Sequence, residues 1–249
     1  MRDDTGVQIR AGVRVRRVVS LVPSLTEAVA VSAPGMVVGA TDWCTEPAEL
    51  DVVRLGGTKN PDVAGVIALR PDLVLANEEE NRPDDLDALR AAGVSVWNTR
   101  VRTVDEAFSS LGRLLGVCGL GEPAWLHAAR SVWDGVPDVA NGRRRAVVPI
   151  WRRPWMALGR DTFAGDVLFR LGVDNVLAGS IERYPRFLPG ELPDHDLVVL
   201  PDEPYAFTAG DGPEAFPGTR CALVSGRHLT WYGPSMVEAV RVLSRQLDG

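Results

Sequence analysis

The sequence predicts an α/β protein of two parallel-sheet lobes joined by a single helix, and three observations carry that prediction. Continuous apolar runs of strand length recur, as at residues 18–22 and 73–76. Runs without polar alternation mark strands buried on both faces, which is how parallel sheets read. Helical segments with their own start and stop signals lie between them. The alternation then halts over Gly116, Gly119 and Gly121 and resumes after Asn141-Gly142. The chain therefore divides into an N-terminal α/β lobe (14–103), connecting helices (104–142) and a C-terminal α/β lobe (143–249).

Residues 18–22 form the first strand. Behind it, Ser24-Leu25-Thr26-Glu27 has the spacing of a capping box, in which serine and glutamate satisfy opposite orphan N–H groups of a helix start. Asp62 can cap a helix over 63–69 that Pro71 ends, 73–76 is a strand, 84–92 is a helix stopped by Gly93, and 94–97 is a strand. Thr103-Val104-Asp105-Glu106 is a second capping box, opening a helix to about residue 115. Pro123 restarts a helix to residue 134, with Trp125, Leu126, Ala129, Val132 and Trp133 on one face. It spans roughly 18 Å at 1.5 Å per residue, enough to join two lobes.

After the turn, 146–150 is a strand, 163–171 a helix, 197–200 and 222–224 strands, and 235–247 a final helix. The second half echoes the first. Asp72-Leu73-Val74-Leu75-Ala76-Asn77-Glu78 matches Asp196-Leu197-Val198-Val199-Leu200-Pro201-Asp202, each a short buried strand running into an acidic loop. Internal duplication explains the echo, and so does the shared composition of buried parallel strands.

The 249 residues are 45% hydrophobic and 24% charged, ample for a core and far from disorder. With 27 basic against 33 acidic residues and Lys59 the single lysine, general polyanion binding is excluded. The clusters Arg143-Arg144-Arg145 and Arg152-Arg153 suggest a local anion site at most. Cys44, Cys118 and Cys221 contain no C-x-x-C pair, so neither a zinc knuckle nor a disulfide framework is expected. The apolar run of 14–33 is interrupted by Pro23, Ser24, Thr26 and Glu27, which reads as no signal peptide and a cytoplasmic location; a missing leader would make it periplasmic or otherwise extracytoplasmic. No stretch approaches the ~20 apolar residues of a membrane span.

Ligands of open parallel sheets bind beyond the carboxyl ends of the strands, where loops and helix N-termini converge. The candidate ligand-binding residues are therefore those of the strand-end loops: Ser24, Trp43, Cys44, Lys59, Asn60, Glu78, Glu80, Asn81, Arg82, Trp151, Arg152, Trp155, Tyr184, Trp231 and Tyr232. Aromatic faces bury large area at small entropy cost, so exposed rings at these ends imply a flat ligand; rings that only fill the lobe interface are the structural alternative. Glu78-Glu79-Glu80 could hydrogen-bond ligand amides, hold a hard cation, or pair with Lys59 or Arg82, or be a solvated charge run. Cys44 is a soft-metal ligand or, more simply, a small buried residue. His127, His195 and His228 lie in different elements, so no protein-built metal cage is expected, and only His228, near Trp231, is a candidate at all. No nucleophile elbow, P-loop or dinucleotide fingerprint occurs, so no catalytic residue is assigned.

Several stretches, taken in order, resemble the two-lobed, helical-backbone solute-binding proteins of ABC importers for cobalamin, ferric siderophores and haem, the cobalamin branch above all. They are Arg17-Val18-Val19-Ser20-Leu21-Val22-Pro23-Ser24 with Thr26-Glu27, Val38-Gly39 through Trp43, Gly56-Gly57-Thr58 with Asn60-Pro61-Asp62, Ala68 to Val74, Tyr184-Pro185, and Leu229-Thr230-Trp231-Tyr232-Gly233-Pro234. The resemblance implies a class III periplasmic-binding-protein-like fold with an interlobe cleft. It puts Trp43 where a tyrosine meets the corrin, and Trp151 to Trp155 and Trp231 on the second lobe. No catalytic cofactor is implied; cobalamin or another metal chelate is implied as ligand, and an importer permease as partner, without nucleic acid or membrane insertion. The two glutamates such proteins present to the permease find no match, Ala64 and Gly190 standing there with Glu191 beside the second. The competing function is a cytosolic α/β enzyme with Glu78 or Glu80 as acid or base on an anionic substrate held by Arg152 and Arg153.

Overall fold

In the computed structural model, which describes residues 1–9 and 14–249, the first apolar run folds as β1 (Val18–Ser20). The chain continues through α1 (Pro23–Ser32), β2 (Val37–Ala40), β3 (Val53–Arg54), a short hairpin of β4 (Gly56–Gly57) and β5 (Asn60–Pro61), α2 (Val63–Ala68), β6 (Leu73–Asn77), α3 (Pro83–Ala91), β7 (Val96–Thr99) and α4 (Val104–Val117). The parallel strands stand in the order β3-β2-β1-β6-β7. β6 is buried at all five positions, which explains why its sequence carries no polar alternation. Val19, Val74, Ala76 and Val96 of the sheet, and Leu21 just past β1, pack with Val66, Leu86 and Leu89 of α2 and α3 in one apolar cluster.

The second half contains α5 (Ala124–Asp134), β8 (Arg144–Val147), β9 (Pro149–Arg152), β10 (Trp155–Ala157), α6 (Phe163–Arg170), β11 (Val173–Asn175), β12 (Leu197–Pro201), β13 (Arg220–Val224), α7 (Gly226–Thr230) and α8 (Met236–Asp248). Its parallel sheet has the order β11-β8-β12-β13. Two compact units result. Unit 1 is Met1–Val101, Ala107–His127 and Tyr232–Pro234; unit 2 is Arg102–Glu106, Ala128–Trp231 and Ser235–Gly249, so the division falls inside α5.

The sequence echo has a structural counterpart. β6 takes the same place in the order β2-β1-β6-β7 as β12 takes in β11-β8-β12-β13. The aspartate before each strand makes the same clamp on the strand beside it: Asp72 donates its N–H to the Arg17 carbonyl (2.8 Å) and accepts the Arg17 N–H on Oδ2 (2.9 Å). Asp196 does likewise with the Arg145 carbonyl (2.9 Å) and N–H (3.3 Å).

Several local expectations are corrected. The capping box at Ser24 does not form: Pro23 takes the first helical position, no side chain caps Val22, and Ser24 lies inside α1. Proline has no N–H to leave unsatisfied and a φ already suited to a helix start, so it sets the boundary. At the second box Thr103 Oγ1 accepts the Glu106 N–H (3.1 Å), but Glu106 Oε2 takes the N–H of Arg102 (2.7 Å), one residue earlier than the motif implies. The single strand expected over 146–150 is two, because Pro149 cannot donate to the ladder; β9 instead turns back on β10 as an antiparallel hairpin. The Asp62 cap forms as read, its Oδ1 accepting the Gly65 N–H at 2.9 Å.

Candidate functional site

At the carboxyl end of β6 the chain must turn without a glycine, and Asn77 supplies the turn. Its Oδ1 accepts the N–H groups of Glu79 (2.8 Å) and Glu80 (3.2 Å), replacing strand pairing by an Asx-type turn. Its Nδ2 donates to Tyr232 Oη (2.6 Å), which lies 2.8 Å from Thr99 Oγ1. Burial pushes the Tyr232 hydroxyl far above its ordinary pKa and keeps it a neutral phenol. Asn81 closes the turn, accepting the Asn77 N–H (2.9 Å) and donating to the Thr58 carbonyl (2.9 Å). Asn81 and Tyr232, both expected at the ligand, are buried and brace this loop.

The carboxylates of Glu78 and Glu80 sit on this braced turn, both half-buried. Lys59 Nζ donates to the Glu79 carbonyl, and Arg82 donates to Asn60 Oδ1 (3.1 Å), so both cations are tied to the loop while remaining exposed, as does Asn60.

The loop after β2 separates two adjacent candidates. Cys44 is fully buried, with Sγ 3.0 Å from Thr26 Oγ1 and 3.2 Å from Thr41 Oγ1, and burial raises its thiol pKa. A buried, neutral thiol with two hydroxyl neighbours matches the small-buried-residue reading of Cys44. Ser24 is buried as well. The Arg54 guanidinium donates to the carbonyls of Thr41 (3.1 Å) and Cys44 (2.8 Å), stapling the loop from the other side. Trp43, between these anchors, is 67% exposed.

Unit 2 sorts its rings the same way. Trp151 on β9 is 43% exposed, with Tyr205 edge-on at 5.7 Å. Trp155 stacks on Phe207 (5.9 Å) and meets Phe216 edge-on (5.5 Å), inside an aromatic core that also holds Phe187. Trp231 is 8% exposed, and its Nε1 donates to Glu203 Oε2 at 3.0 Å. Trp155 is thus half-buried and Trp231 buried, each packed against neighbours distant in sequence. Tyr184 is half-buried, with the Arg183 guanidinium 5.9 Å from its ring.

Arg152 is paired with Asp211 and Glu214 and lies over the Trp155 ring at 5.5 Å. Its charge is already satisfied, so it is no free anion clamp, and of the two arginines the enzyme reading assigns to its substrate Arg153 alone stays exposed. Glu203 lies in the strand-end loop Glu203-Pro204-Tyr205 but is not among the candidate residues the sequence gives. Burial pushes its carboxyl up, against the lowering effect of the Trp231 N–H; the Asp202 charge pushes it further up and Arg227 draws it down. The signal that finds it is the echo, since Glu203 follows β12 as Glu79 follows β6. His228 has its imidazole held by Ser225 Oγ (2.8 Å) and its pKa lowered, by burial first. Among the described residues no group of three His, Cys, Asp or Glu side chains is placed to hold a metal ion.

No protein-family profile matches the chain. Individual proteins do. An uncharacterized ABC-transporter substrate-binding lipoprotein of Bacillus subtilis is 28% identical over 213 residues, which is 80% of this chain and 65% of that protein. The vitamin B12-binding protein of Vibrio cholerae is 23% identical over 176 residues, 68% of this chain and 64% of that one. The chain is similar to ABC-transporter substrate-binding proteins. Its matches span just under two thirds of the length of these relatives. The periplasmic heme-binding protein of Roseiflexus sp. RS-1 shares the fold, with a TM-score of 0.77 at 20% identity over 94% of this chain and 98% of that one. The architecture is thus class III periplasmic-binding-protein-like.

These relatives also correct the expected cytoplasmic location. One is a lipoprotein and the structural neighbour is periplasmic, which points outside the cytoplasm. Among the described residues no helix is long and apolar enough to cross a membrane. Of the positions where permease-facing glutamates are expected, Ala64 is exposed on α2, and Gly190 lies in a 3-10 turn (Pro189–Glu191) with Glu191 exposed beside it.

Proposed function

We propose that the chain is the binding component of an ABC importer for a metal chelate, with a corrinoid as the first choice, haem as the other flat macrocycle and a ferric siderophore, which is not flat, as the third member of the class. The supporting observation is Trp43: a large indole left 67% exposed on a loop that Cys44 and Arg54 hold rigid from beneath. An exposed aromatic normally lowers solubility for no return, whereas a rigid one offers a flat ligand large area at little entropic cost. The half-buried carboxylates of Glu78 and Glu80, on the turn braced by Asn77, are suited to the amide groups that fringe a corrinoid. The vitamin B12-binding protein among the relatives favours the same choice. Transport, not turnover, is the role assigned, with the permease as partner and Glu191 as the carboxylate nearest an expected docking position.

Titration with cobalamin, cobinamide and haem, followed by tryptophan fluorescence, tests this. Saturable quenching by a corrinoid that is lost in Trp43→Ala is the expected result. Quenching by haem alone would move the ligand within the class, and no quenching by any metal chelate, ferric siderophores included, would end the reading.

A further inference from the structure

Trp151 stands on β9 opposite Met156 of β10, and an indole 43% exposed on a short hairpin would ordinarily turn freely about its side-chain bonds. Here a loop from elsewhere in unit 2 borders it. Tyr205 meets the indole at 5.7 Å with the ring planes at 80°, an edge contact that aromatic quadrupoles favour, and lies 4.7 Å from the Phe207 ring. The tyrosine is fixed in its turn. Thr208 and Asp211 exchange backbone hydrogen bonds (3.0 and 3.2 Å), closing a tight turn that brings Asp211 back to Tyr205, whose Oη donates to Asp211 Oδ2 at 2.6 Å. The other oxygen of Asp211 pairs with Arg152, the residue next to Trp151.

Gly212 follows with φ +132°, and a side chain there would run into the Phe207 ring 2.8 Å away, so the loop requires this glycine. Its N–H donates to Glu214 Oε2 (2.7 Å), and Glu214 pairs with Arg152 as well. One carboxylate, Asp211, thus ties the tyrosine that borders the indole to the strand that carries it. Phenylalanine serves for packing at the neighbouring positions Phe187, Phe207 and Phe216 of this aromatic core. The hydroxyl at 205 therefore acts through its bond to Asp211 and not through packing.

We propose that Tyr205 and Asp211 are positioning residues for Trp151, holding its indole as a pre-set aromatic face for a flat macrocyclic ligand. The role rests on the reading of the chain as a binder of metal chelates. A ring already held loses little conformational entropy when a ligand covers it, and that saving is what the loop contributes. Tyr205→Phe isolates the role, because it keeps the ring and removes only the donor to Asp211. In the ligand-free chain, nitrogen relaxation of the Trp151 indole N–H, assigned by its loss in Trp151→Phe, should report a more mobile ring in Tyr205→Phe. With cobinamide and haem as probes, Tyr205→Phe should weaken binding about fivefold, and the same change made in Trp151→Ala should add no further loss. Indole mobility or affinity equal to the parent's would overturn the role alone, and so would a loss of affinity that persists in the Trp151→Ala background. A parent that binds a ferric siderophore but neither macrocycle keeps the proposed function and overturns this role, whereas a parent that binds no chelate ends both. Should Tyr205→Phe fail to fold, Asp211→Ala removes the acceptor while Glu214 stays paired with Arg152, and it is read the same way.

Discussion

Asn77 uses both ends of its amide, the carbonyl for the turn and the NH2 for Tyr232. Removing the hydroxyl that joins Asn77 and Thr99 in Tyr232→Phe should cost about 1–2 kcal/mol in chemical denaturation, since a buried donor is left without its acceptor. Glu203 makes a prediction of opposite character. Its folded pKa is raised, so the native state holds a proton that the unfolded chain has already released. Stability contributed by this group therefore falls as pH rises from the ordinary carboxylate range through the raised value. Glu203→Gln has no such slope, and the difference in stability between variant and parent should move in the variant's favour as pH rises above the ordinary carboxylate range in urea titrations. An unchanged difference would remove the electrostatic account of this site. The candidate site was legible at this scale only in part. Residue type and strand-end position single out Trp43 and Trp231 equally, but Glu203 and the surrounding chain cover one ring and not the other, and nothing local in sequence encodes that.

At the scale of elements, helix starts behave as short-range chemistry. Asp62 caps α2 and Thr162 caps α6, each through a side-chain oxygen on the N–H three residues on. Asp62→Ala and Thr162→Ala should each cost about 1 kcal/mol, measured as a shift of denaturation midpoint without a change in its slope. Where the reading failed, at Ser24 and over 146–150, a proline decided the matter: Pro23 began a helix earlier than the serine motif, and Pro149 divided one apolar run into two strands. Both prolines are visible in the sequence. Their effect is short-range, and weighing it above a capping motif or an apolar run recovers the observed boundaries.

For the molecule as a whole, a ligand that binds only the folded chain must raise its stability, by about 2.7 kcal/mol at a hundredfold excess over Kd. A corrinoid should therefore raise the melting temperature of the parent, while Trp43→Ala should melt at the parent's temperature alone and gain little from the ligand. A variant that still gains the full shift would take Trp43 out of the site. The sequence by itself determined the alternation of buried strands and capped helices and the two halves with matching Asp-led strands, because burial on both faces, backbone capping and chain-turning residues act over a few positions. It also carried the kinship with importer binding proteins. Only the tertiary structure decided which strand-end rings meet solvent, that Arg152 is neutralised by Asp211 and Glu214, and that Tyr205 stands edge-on to Trp151. Each of those outcomes depends on side chains tens of residues apart arriving at one place, and contact of that kind has no periodicity for a sequence to display.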